Sequence, residues 1–75
     1  MITPEQCRAA RALLKIGQDK LAEKTDLSSV TIRKFENQTA PLRKATINLI
    51  KLTLEAAGIE FIPENGGGPG VRLKK

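Results

Sequence analysis

Residues 18–38 read QDKLAEKTDLSSVTIRKFENQ, two short amphipathic segments that meet at Thr25-Asp26-Leu27-Ser28. In the first, Leu21, Ala22 and Thr25 share one face at helical spacing; in the second, Ile32 and Phe35 do, with Val30 or Thr31 also available to packing. Gly17 breaks the pattern before them, Gln18 opens the first segment and Asp26 ends it. Ser28 is suited to cap the second, which should run to about Glu36. Helices this short are not stable alone in water, so other helices must hold them at a fixed angle.

Those other helices can be read on either side. Thr3-Pro4-Glu5-Gln6 is a helix start, with Thr3 as cap, Pro4 where its missing N–H costs nothing, and Gln6 completing a capping box. The helix that follows should run to about Lys15 and turn Cys7, Ala10, Leu14 and part of Leu13 inward. After Asn37 comes a polar turn containing Pro41, then a longer helix from about Arg43 or Lys44 to Ala57. Its inner stripe reads as Leu42, Ala45, Leu49, Leu52, Thr53 and Ala56, with Ile47, Ile50 and Leu54 partly outside it. A helix that is apolar on more than one side implies a second buried contact beyond its own core. Gly58 fits a left-handed stop, with Ile59 placed to touch Leu54 across it.

The chain then changes character. Ile59-Glu60-Phe61-Ile62 and Val71-Arg72-Leu73 read as strands, joined by Pro-Glu-Asn-Gly-Gly-Gly-Pro-Gly at residues 63–70. An isolated two-stranded hairpin is marginal in water and must pack on something. The expected fold class is therefore all-α: four helices over residues 1–58, and a short two-stranded β extension with a Gly-rich loop over 59–75. The extension is expected to serve in dimerisation, placing Ile59, Phe61, Val71 and Leu73 against helix 4 of a second copy. The competing expectation is a disordered basic tail ending in Arg72, Lys74 and Lys75 that touches phosphate.

Length and composition bound the function. Seventy-five residues allow one domain, which buries only about 60% of its unfolded surface, so a partner chain would help it. With two Phe and neither Trp nor Tyr, the core must come from Leu, Ile, Val and Ala. Cys7 is the lone cysteine and there is no His, which excludes an intrachain disulfide and the common zinc constellations. The start lacks the uninterrupted apolar run of a signal peptide, and no stretch approaches 18 apolar residues, so a soluble cytoplasmic protein is expected. Enzymatic function is not expected: there are no clustered carboxylates and no serine nucleophile setting, and no cofactor or metal is implied. Cys7 reads as a small core residue, and Asn-Gly-Gly-Gly-Pro-Gly as a flexible turn, since no helix or Gly-Lys-Ser/Thr follows it.

The net charge of +5 is local. Residues 31–51 hold Arg33, Lys34, Arg43, Lys44 and Lys51 against Glu36 alone, whereas the flanking stretches are nearly balanced. A concentrated excess of this kind suits an anionic polymer.

Residues 18–38 resemble the helix-turn-helix of the Cro and lambda-repressor-like (Xre-type) family, and the likeness extends over roughly residues 4–57. It rests on Gln18 opening helix 2, Leu21-Ala22 within it, Leu27-Ser28 at the turn, Ile32 and Phe35 inside helix 3, and Glu36-Asn37 closing it. Asp26 departs from the family's usual left-handed Gly, and Thr25 from its usual apolar residue. The resemblance implies a four-helix lambda-repressor-like DNA-binding domain whose helix 3, about residues 28–36, enters the major groove. Ser29, Val30, Arg33 and Lys34 would then face the bases: Arg33 or Lys34 can donate to guanine N7 and O6, and Val30 can touch a thymine methyl. Gln18, Ser28, Thr31, Asn37, Arg43 and Lys44 would meet phosphates. The same resemblance pairs Arg11 with Glu36 as a structural tie. The expectation is a homodimeric, sequence-specific transcriptional repressor bound to double-stranded DNA, because one short helix reads few bases. The alternative is a protein-interaction module, such as an antitoxin or anti-activator, that grips a toxin or activator.

Overall fold

The computed structural model describes residues 1–74; Lys75, the last cation of the tail, lies outside the described residues. Helices α1 (Pro4–Leu14), α2 (Gln18–Thr25), α3 (Ser29–Asn37) and α4 (Lys44–Ala56) are followed by an antiparallel hairpin of β1 (Ile59–Ile62) and β2 (Gly70–Leu73). The helix ends follow local chemistry. Thr3 and Gln6 form a reciprocal capping box on α1, and the Ser28 hydroxyl accepts the Thr31 N–H to start α3. Helices α1, α2 and α3 stop on the left-handed residues Lys15, Asp26 and Gln38. Asp26, at φ 62°, thus occupies the conformation that glycine would adopt more cheaply. Gly58, at φ 107°, turns the chain out of α4 and into β1.

One cluster forms the core. Ile2, Cys7 and Ala10 from the N-terminus and α1, Leu21 and Ala22 from α2, and Ile32 and Phe35 from α3 meet Ile47, Ile50 and Leu54 of α4 and Ile59 of β1. Helix α1 lies against α3 and β2, α2 against α3 and α4, and α4 against β1. Ala22 is buried on α2, which packs closely against α3, and a small side chain suits such a crossing. Thr25, also buried, satisfies its hydroxyl by donating to the carbonyls of Leu21 and Ala22 and accepting the Leu27 N–H, so it ties the turn between α2 and α3.

One expectation is corrected. The inward face of α4 is the opposite of the expected one: Ile47, Ile50 and Leu54 are buried, whereas Leu49 and Leu52 are 39% and 53% exposed. Both sets recur at helical spacing, so periodicity alone does not choose between them. The Ile-rich side is the one that packs on α2 and on β1 of the hairpin, which completes the core there.

The hairpin docks on its own chain. Ile59 is 1% exposed inside the core, and Phe61 and Val71 pack against that core from opposite strands. Of the four expected interface residues, Ile59 is buried within its own chain, Phe61 and Val71 are half-buried, and Leu73 is exposed. The physical reason is that a two-stranded ribbon needs an apolar surface, and the nearest is that of its own helices. Gln6 secures the docking: the side-chain amide that caps α1 also donates to the carbonyls of Ile62 and Gly70, the last pair of the ladder. Arg72 is held by Glu60 across the strands at 3.0 Å and 3.1 Å, so it is not a free tail cation.

Truncation after Gly58 should therefore break the fold itself. Removing Ile59 bares Ile50 and Leu54, and cavities of that kind cost about 2–5 kcal/mol per large aliphatic side chain. The expected result in urea titration is loss of the cooperative transition or a large drop in its midpoint; an unchanged midpoint would show that the hairpin adds nothing to the core.

Candidate nucleic-acid interface

The outer face of α3 is fixed by what its inner face buries. Ile32, Phe35 and Glu36, three and four positions apart, share the face that points into the molecule, and the residues on the opposite side of the helix turn outward. Val30, Arg33, Lys34 and Asn37 are all exposed, at i, i+3, i+4 and i+7, and form a single stripe; Val30 is 47% exposed despite being apolar. Ser29 is half-buried at the first turn. Asn37 belongs to α3 rather than following it, so it continues the Val30–Lys34 stripe by another turn. Helical spacing alone would have placed it there had the helix end been read one residue later.

Glu36 is the anchor beneath this face. Its side chain is 1% exposed, and its two carboxylate oxygens accept four hydrogen bonds. Arg11 Nε and Nη2 donate at 2.6 Å and 2.7 Å in a fork, Gln18 Nε2 donates at 3.0 Å, and Cys7 Sγ donates at 3.2 Å. Arg8 adds a bond to the Glu36 backbone carbonyl, and Arg11 Nη1 reaches the carbonyl of Ile16. The network joins α1, the start of α2 and the end of α3 at one point. Burial pushes the Glu36 carboxyl up, but the hydrogen bonds from Arg11, Gln18 and Cys7 outweigh it and hold the group below the usual carboxylate range. Burial, together with the bond to Glu36 and its charge, pushes the Cys7 thiol far above its ordinary range, so it serves as a neutral donor. The bond to Glu36 raises Arg11 further, against the effect of burial.

The Arg11–Glu36 pair thus appears as the resemblance implied. Gln18 and Cys7 were not anticipated as members of the network. A buried carboxylate demands donors for both oxygens, and that demand becomes visible only once Glu36 is seen to point inward.

The remaining candidates divide into two groups. Ser28 and Thr31 are occupied in capping α3: their hydroxyls lie 2.9 Å apart, and the Thr31 N–H binds the Ser28 oxygen. Gln18 spends one amide N–H on Glu36. Arg33, Lys34, Arg43 and Lys44, by contrast, are exposed and make no side-chain hydrogen bond or ion pair among the described residues. Lys51 approaches Glu55 at 3.9 Å. With Glu36 buried and neutralised, the charge that residues 31–51 present to solvent is wholly positive. Helices α2 and α4 also begin on Gly17 and Arg43 without a side-chain cap, which leaves their first N–H groups open.

Among the described residues no helix is long and apolar enough to cross a membrane, and no group of His, Cys, Asp or Glu is placed to hold a metal ion. No family model matches the chain, and no curated protein matches it.

The network generates a test of stability. Arg11→Ala strands a buried carboxylate and should cost about 3–5 kcal/mol, Glu36→Ala strands a half-buried guanidinium and should cost less, and the double variant should cost clearly less than their sum. Because the folded-state carboxyl titrates below its unfolded value, its contribution is fully present above about pH 4.3 and is lost as pH falls through the folded value. The gap in stability between the natural protein and Glu36→Gln should accordingly narrow in acid. Urea titrations at a series of pH values check both; additive single costs, or a gap that stays constant in acid, would show that the pair is not coupled.

Proposed function

We propose that the chain is a sequence-specific DNA-binding transcriptional regulator with a lambda-repressor-like (Xre-type) helix-turn-helix, acting as a repressor through two copies on one site. The observation that carries this is the outer face of α3. It presents Val30, Arg33, Lys34 and Asn37 in one stripe, braced from beneath by a neutralised Glu36, with every free cation of the region on the outside. A helix with side chains fits the major groove, roughly 12 Å wide.

Roles follow from chemistry. Arg33 and Lys34 donate to guanine N7 and O6, Val30 packs on a thymine methyl, and Ser29 at the helix start reaches a base edge or the backbone. Arg43 and Lys44 neutralise phosphates, aided by the open N–H groups at the start of α4; Gln18, through its remaining amide N–H, and the uncapped start of α2 donate hydrogen bonds to phosphates. Ser28, Thr31 and Asn37 complete the backbone contacts around α3. Two copies are needed because a single short helix reads too few base pairs, and their reading helices should lie about 34 Å apart on one face of the duplex.

Selection of bound sequences from a random duplex pool supplies the operator, and recovery of no enriched sequence would favour the protein-interaction alternative instead. On the selected site, Arg33→Ala and Lys34→Ala should each cost about 1–3 kcal/mol and relax preference at particular base pairs. Arg43→Ala and Lys44→Ala should weaken binding to every duplex alike and lower the slope of log affinity against log salt by about 1 each. If all four variants lose affinity uniformly, α3 is not the reading helix.

A further inference from the structure

The corrected orientation of α4 leaves a second feature on its outer side. Ala45, Leu49, Leu52 and Ala56 are all exposed. At about 100° per residue they fall within a sector of about 60°, directly opposite buried Ile47, Ile50 and Leu54. No charge interrupts the stripe. Its spacing of four, three and four residues is the alternation of a coiled-coil seam. Leu49 and Leu52 are thus large apolar side chains that the fold itself leaves without a partner.

We infer that this stripe is the surface through which two copies of the chain pair, with their α4 helices antiparallel about a two-fold axis. The stripe reads the same in both directions: Ala, Leu, Leu, Ala. A two-fold contact requires such self-complementarity, since each position must meet its symmetry mate. Antiparallel pairing sets Leu49 against Leu52 of the other copy twice at the centre and Ala45 against Ala56 at each end, where the small side chains let the helices approach. The flanks agree. Asn48 of each copy falls beside Glu55 of the other, offering an amide donor to a carboxylate whose internal partner, Lys51, stands at a long 3.9 Å. The helix dipoles also run head to tail across the contact, which is the favourable sense.

The contact is small. Helix α4 has 13 residues, a length of about 20 Å, and one such face covers less than the roughly 800 Å² per partner of a standard stable interface. The free protein therefore dimerises weakly, with a dissociation constant on the order of 100 µM, and the pair is completed on the duplex. This deepens the DNA-binding proposal by supplying its second copy, yet it is tested without DNA, so failure of one is distinguishable from failure of the other.

Sedimentation equilibrium of the full chain alone, from about 10 µM to 1 mM, is expected to show a monomer–dimer equilibrium. Leu52→Glu should raise the dissociation constant at least about 100-fold by setting a carboxylate against apolar side chains, with its melting temperature unchanged. Leu73→Glu, on the exposed end of β2, should leave dimerisation intact. Orientation is read by oxidation of engineered cysteines, with native Cys7 silent because it is fully buried. A mixture of Ala45→Cys and Ala56→Cys should form a disulfide-linked pair between the two variants, and Ala45→Cys alone should form none. A wild-type monomer throughout the range, a Leu52→Glu protein that still dimerises, loss of the dimer in Leu73→Glu, or efficient linkage of Ala45→Cys to itself would each overturn the proposal.

Discussion

A carboxylate with 1% of its side chain exposed stays ionised only if donors replace the water it has lost, and the arrangement of this molecule turns on how Glu36 meets that demand. Arg11 closes a fork on both oxygens, Gln18 and Cys7 fill the remaining directions, and Arg8 holds the backbone of the same residue. Because these donors come from α1 and from the first residue of α2, satisfying one charge fixes the angle of α3 against both. The apolar contacts of Ile32 and Phe35 supply the bulk of the packing, but they are non-directional. The fork is directional, and it sets how α3 is rotated about its own axis.

That rotation decides what faces solvent. With Glu36 turned in, Val30, Arg33, Lys34 and Asn37 are turned out, and the single acidic group of residues 31–51 is removed from the surface field. The helix ends differ in the same region: α1 and α3 have starts closed by Thr3 and Ser28, while α2 and α4 begin without side-chain caps, α4 directly after the unpaired Arg43. Structure and electrostatics therefore share one cause in the proposed DNA-binding face.

Much of this was legible from residue order, and the exceptions have physical reasons. Caps at Thr3 and Ser28, the break at Gly17 and the left-handed stop at Asp26 are local signals, so all four helices and both strands could be placed to within a residue or two. The orientation of α4 was not legible, because Leu49 and Leu52 have the same period and hydrophobicity as Ile47, Ile50 and Leu54; tertiary contacts with α2 and the hairpin distinguish them. The hairpin's docking on its own helices depends on Gln6 reaching strand carbonyls 56 and 64 residues away, a contact no local pattern encodes. Within the candidate site, the Arg11–Glu36 tie came from family resemblance, whereas the donors Gln18 and Cys7 emerge only from the geometry of a buried oxygen.

The central claim is that α3, held by Glu36, presents its outer stripe to DNA. The most direct measurement is a titration of ¹⁵N-labelled protein with a selected duplex, followed by amide chemical shifts at low salt. The account predicts the largest changes at Ser29, Val30, Arg33 and Lys34, smaller ones at the starts of α2 and α4, and little change in the β1–β2 hairpin. Changes confined to the hairpin, or spectra that do not respond to duplex DNA at all, would contradict it.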